Sequence, residues 1–136
     1  MIDHALQGAA LIDEKSLSKL SILEYSALEA MTKGMGTKDD WHTLAGCLNV
    51  CETMAQSGIG VEVKEVCERV QKHLQDAAIR FKTTGKMGLT GLGIKDIREL
   101  LEYADLQRRS ISRSEFEKMI TKTSRMIMAM QNVVTV

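Results

Sequence analysis

Apolar residues recur along this chain at intervals of three and four and nowhere alternate over the length of a strand. Placed at 100° per residue, they form five amphipathic segments, which predicts an all-α protein. The expected architecture is one domain over 1–136, a compact bundle of about five helices built on a central antiparallel helical hairpin. The first segment, about 17–33, puts Leu17, Leu20, Ala27, Leu28 and Met31 on one stripe and stops at Lys33-Gly34, a basic last turn followed by glycine. Thr37-Lys-Asp-Asp40 then has the form of a capping box, with carboxylates facing the positive end of the helix dipole. The helix it opens keeps Trp41, Leu44, Ala45, Leu48 and Ala55 on one face. Ser57-Gly58-Ile59-Gly60 is long enough only to reverse the chain, so the arms 38–57 and 61–84 form an αα-hairpin. The second arm aligns Val63, Val66, Cys67, Val70, Leu74, Ala77 and Phe81.

Four glycines at 85, 88, 91 and 93 separate this arm from a helix expected over 94–107, with Ile94, Ile97, Leu101 and Ala104 inward. The last helix starts at Ser112, which pairs with Glu115 as a capping box, and carries Phe116, Met119, Ile120, Ile127 and Met130 on one face. Residues 1–15 read as a loosely packed segment. Residues 131–136, without charge or cap, read as a tail that frays or packs on a partner.

Composition narrows the class. With 44% apolar and 26% charged residues, the chain is an ordinary globule rather than a disordered one. A chain of 136 residues buries roughly two-thirds of its unfolded surface, enough for a core without staples. Proline is absent, so no helix is forced to kink. Three cysteines without CxxC spacing read as reduced thiols. No run of 18 apolar residues occurs, and Asp3 and His4 stand where a secretory leader would carry lysines; a cytoplasmic protein is expected.

The net charge is zero, but residues 1–60 hold four lysines against eight acids, which leaves the remainder at +4. Arg108, Arg109, Arg113, Lys118, Lys122 and Arg125 supply the surplus. On a capped helix they outline a nucleic-acid-contacting face, the alternative reading. The plainer one is a solvated face, or one docked on the acidic half of this chain or of a second copy.

The glycine loop invites a phosphate but lacks the GxxxxGK[ST] pattern and a preceding strand. Its Lys86, Met87, Leu89 and Leu92 form either a plug on the bundle or an adaptable contact for a partner. Glu24 and Glu52 fall on the apolar stripes of their helices, yet no glutamate is followed three residues later by a histidine, as a di-metal bundle requires. Each is expected to reach a Lys, Arg or Tyr at the core edge. Cys47 and Cys51, with His42, Cys67 or His73, lack the tight-turn spacing of structural zinc. The stripe of His42, Asn49 and Gln56 reads as an exposed flank, with a groove lining as the other reading. No catalytic residue, metal or cofactor is assigned, since neither GxSxG nor HExxH occurs.

Met126, Met128 and Met130, with Val133 and Val134, occupy more than one face of the last helix and its tail, which points to self-association as a homodimer. The opening MIDHALQGAAL and the run TGLGIKDIRELLEYADLQRRSISRSEF, from Thr90 to Phe116, resemble small, functionally unassigned helical proteins of proteobacterial phages and mobile elements. The resemblance covers about a third of the chain and carries over no site residue. It implies a non-enzymatic protein that binds a host or phage macromolecule stoichiometrically, in some cases a defence system, as an anti-CRISPR-like inhibitor does. The alternatives are a nucleic-acid-binding regulator using the basic helix, and a small-ligand-binding protein or enzyme.

Overall fold

Asp13 opens the first helix three residues earlier than the apolar stripe suggests. Its carboxylate accepts from the Ser16 amide at 3.3 Å and the Ser16 hydroxyl at 2.7 Å, bonds that hold its pKa below the usual carboxylate value. In the computed structural model, which describes residues 10–129, α1 therefore runs Glu14–Thr32. The box before α2 (Lys38–Gln56) is complete: the Thr37 amide donates to Asp40 Oδ2 at 2.8 Å and the Asp40 amide to Thr37 Oγ1 at 3.2 Å. After the reversal, a 3₁₀ turn (Val61–Val63) leads into α3 (Lys64–Thr84). The N-cap of the 3₁₀ turn is Gly60, at φ +65°, a left-handed conformation natural to glycine. The bundle closes with α4 (Gly91–Arg109) and α5 (Arg113–Ala129). No strand occurs among the described residues, only two isolated bridges, and no described helix is long and apolar enough to cross a membrane.

The hairpin of α2 and α3 is the centre. Trp41, Leu48, Val70 and Leu74 are buried between its arms with Phe81 at the edge, and the Trp41 indole N–H donates to Leu74 O at 2.8 Å. Against this hairpin, and against each other, pack α1, through Ala27, Leu28 and Met31, and α4, through Ile97, Leu100, Leu101 and Ala104.

The glycine-rich connection is structural. Gly91 and Gly93 belong to the first turn of α4, because Thr90 caps it by accepting from the Gly93 amide at 3.1 Å. A Cβ on Gly93 would come within 3.3 Å of the His73 ring, so any larger residue there requires the ring to give by a few tenths of an ångström. Upstream, the connection is knitted to the α1–α2 turn: the Gly36 amide donates to Met87 O at 3.0 Å and the Leu89 amide to Met31 O at 3.2 Å. Arg80 donates to Gly88 O at 3.1 Å. Met87 drops into the core at 1% exposure. A partner cannot use it, so the four residues offered as one contact loop separate: Met87 plugs the bundle, Leu89 packs half-buried, and only Lys86 and Leu92 face solvent.

Candidate functional site

The basic set also comes apart. Arg108 is not on an outer face; it is 4% exposed and forks onto Glu24, Nη1 to Oε2 at 2.9 Å and Nη2 to Oε1 at 2.8 Å. Burial opposes its charge, and the Glu24 carboxylate more than offsets this, holding the guanidinium pKa above its ordinary value. Arg109 pairs with Glu14 and with Asp105 at 2.8 Å, and Arg113 with Asp13 at 3.1 Å. Lys122 donates to Ser57 Oγ at 3.2 Å. The capped entry expected to meet phosphates instead holds α1 against the ends of α4 and α5. Lys118 and Arg125 remain exposed on α5.

The last helix departs from expectation in packing. It rests on α2, and its buried residue is Thr123, whose Oγ1 stands 2.7 Å from Thr53 Oγ1. Thr53 Oγ1 in turn donates to Asn49 O at 3.0 Å. The predicted apolar stripe is only half covered: Phe116, Met119 and Met126 are half-buried, while Ile120, Ile127 and Met128 are exposed. Met130, Val133 and Val134 lie outside the described residues.

Because α5 rests mainly on α2, a recess opens between α5 and α1. It has a volume of about 280 Å³, and its lining runs along α2 from His42 to Met54, roughly 18 Å or three turns. Leu20 and Leu23 of α1 and Phe116 and Ile120 of α5 form its walls; Cys47 and Val50 belong to its floor; Ala104 and Arg108 of α4 close it. The surface is mainly apolar, with the Glu24–Arg108 pair inside it and Leu23 and Ile120 exposed at its edge.

Gly46 is also part of the floor. A glycine inside a helix costs roughly 0.5–1 kcal/mol relative to alanine. Here no neighbour requires that cost, since a Cβ at this position meets nothing within 4 Å. The position opens onto the recess. Beside it, the Arg108 Nε–H is buried without an acceptor, although the rest of the guanidinium is paired.

Cys47 in the floor and Cys67 near it are held protonated. A hydrogen bond with Cys51, followed by burial, raises the Cys47 pKa well above its ordinary value. Burial, with help from Cys51, Glu52 and Glu68, pushes Cys67 up to about 12. Protonated thiols are neither nucleophiles nor metal ligands, and no group of three His, Cys, Asp or Glu side chains gathers for a metal among the described residues. Glu24 and Glu52 do not converge. Glu24 meets the arginine expected of it, whereas Glu52 lies in a separate pocket with Lys64, Cys67 and Glu68, its pKa raised by burial and then by Glu68. Of the polar stripe on α2, His42 lines the recess, while Asn49 and Gln56 line a smaller groove on the other side of α5.

Sequence reasoning missed Leu23, Gly46 and Val50. A signal for one existed, since Gly46 interrupts a well-capped helix with no turn beside it. Comparison with family models, with curated proteins and with solved structures finds no match.

Proposed function

We propose that this is a non-enzymatic protein that works by stoichiometric binding of a host or phage protein, in the setting that the resemblance of its opening and its 90–116 segment implies. The observation that carries the reading is the apolar channel between α1 and α5, where Leu23, 58% exposed, and Ile120, 40% exposed, flank a recess three turns long. A channel bounded by two helices, with a third as floor, suits an apolar helix face of the partner. Leu23 and Ile120 at its edge would be the first contacts. Further along the same helix, the exposed Ile127 and Met128 support self-association. The nucleic-acid alternative is left with the exposed Lys118, Lys122 and Arg125, because Arg108, Arg109 and Arg113 have carboxylate partners. Capture from a proteobacterial host lysate by the wild type and by Leu23→Glu/Ile120→Glu, with the fold checked by circular dichroism, tests the reading. A protein retained at one-to-one stoichiometry by the wild type and lost from the variant is expected. Identical retention by both would refute it.

A further inference from the structure

We infer that the channel between α1 and α5 is a docking site for this chain's own N-terminal segment, residues 1–9, seated there as a short amphipathic helix. The inference rests on where the described chain begins and on what the recess admits, so it stands whether or not a partner protein binds. Direction is the first argument. Leu11 forms an antiparallel bridge with Ser112, and Ala10 O accepts from the Arg113 amide at 2.9 Å. In an antiparallel pair the chain before Ala10 heads the way the chain after Arg113 heads, toward Phe116 on the wall of the recess. The other terminal segment is not so placed: it follows Ala129, beyond Met126 and Ile127, which line the groove on the other side of α5. Reach is the second argument. Only residues 33–37 join α1 to α2, so the start of α1 lies by the end of α2, and a segment leaving Ala10 has the floor before it from Met54 to His42. Nine residues span about 14 Å as a helix and about 30 Å extended, which brackets the roughly 18 Å of that floor. Pattern is the third: Ile2, Ala5, Leu6 and Ala9 have i, i+3, i+4, i+7 spacing, with His4 and Gln7 on the opposite face. Such a face brings no charge to the buried Glu24–Arg108 pair, which is already neutral, and covers the exposed Leu23 and Ile120. Tethering through Ala10 makes the docking intramolecular, so a few apolar side chains hold the channel at high effective concentration. A partner helix entering the channel must displace the segment, and it needs the same apolar spacing to do so.

The test compares amide spectra of the isotopically labelled full-length protein with those of Ile2→Glu/Leu6→Glu and of Gln7→Glu, which adds a charge on the opposite face of the segment. For the double variant, shifts centred on Leu23, Gly46, Val50 and Ile120 are expected; for Gln7→Glu the same amides should stay in place. A nitroxide on His4→Cys, in a chain whose Cys47, Cys51 and Cys67 are buried, then identifies whose segment fills the channel. Broadening of the channel amides in tagged, labelled protein should survive dilution with an excess of untagged, unlabelled protein. Its loss on dilution would assign the segment to a second copy and overturn the intramolecular docking. Channel amides that do not move in the double variant, or that move equally in Gln7→Glu, would overturn docking of the segment altogether. Capture from the lysate is scored separately: if the double variant moves the channel amides but no protein is retained by either chain, the partner reading fails and this inference stands.

Discussion

Replacing Arg108 with methionine tests the interior of this bundle most severely. At 2.8 Å and an effective dielectric constant of about 20, the attraction between Arg108 and Glu24 is about 6 kcal/mol. Removing each ion from water costs several kcal/mol, so the intact pair contributes little net stability. Half of the pair is a different matter. Arg108→Met leaves a carboxylate only 7% exposed and facing no cation, a loss of about 3–5 kcal/mol. Against a total stability of about 5–15 kcal/mol this is a large fraction, equivalent to roughly 10–20 °C in melting temperature. Glu24→Leu/Arg108→Met removes both charges and should recover most of that loss, because two apolar side chains of similar size then fill the site. Chemical denaturation of the wild type, both single variants and the double variant gives the coupling energy directly. A loss below about 1 kcal/mol for Arg108→Met, or a double variant no more stable than the worse single one, would refute the reasoning.

Leu74→Ala, at a site 2% exposed in the hairpin, should lower stability by about 2–5 kcal/mol through lost burial and a cavity, read as a shift in denaturation midpoint. Glu52→Gln should melt higher than the wild type at pH 7. Folding raises the Glu52 pKa above its unfolded value of about 4.3, so its ionised form is a burden above the folded pKa and none below the unfolded one. The difference in melting temperature should therefore close as pH falls toward 4; a gap that persists there would show another cause. For self-association, sedimentation should report a dimer for the full chain at high micromolar concentration and a monomer for Ile127→Glu/Met128→Glu.

The helices were legible because each is written locally: a cap, a stripe and a stop lie within twenty residues of one another. Thr37 and Asp40 announce α2, and Ser112 announces α5 by accepting from the Glu115 amide at 3.1 Å. Errors at the ends have local causes too, since Asp13 and Thr90 cap helices before their first apolar residues. What a stripe does not encode is which neighbour covers it. In α5, Phe116, Ile120 and Ile127 have the same periodicity as the buried face of α3, yet no helix closes over them. Met87 shows the reverse: an apolar residue in a glycine loop has no period to read, and its burial depends on backbone bonds to Gly36 that only the folded chain brings together.

The uneven charge of the two halves has its explanation in the same long-range contacts. Glu24, Glu14 and Asp13 meet Arg108, Arg109 and Arg113 across 84, 95 and 100 residues of sequence. The two outer pairs are exposed and screened by solvent, whereas the buried one fixes where α4 ends against α1. With those arginines paired, the recognition surface we propose is the channel, whose lining is mainly apolar. Affinity for a partner held there should change little between 50 and 200 mM salt, because apolar burial releases no counterions. Binding through six or more phosphate contacts would instead weaken by about a thousand-fold over that range. A steep salt dependence of the captured complex would return the basic residues of α5 to the centre of the mechanism.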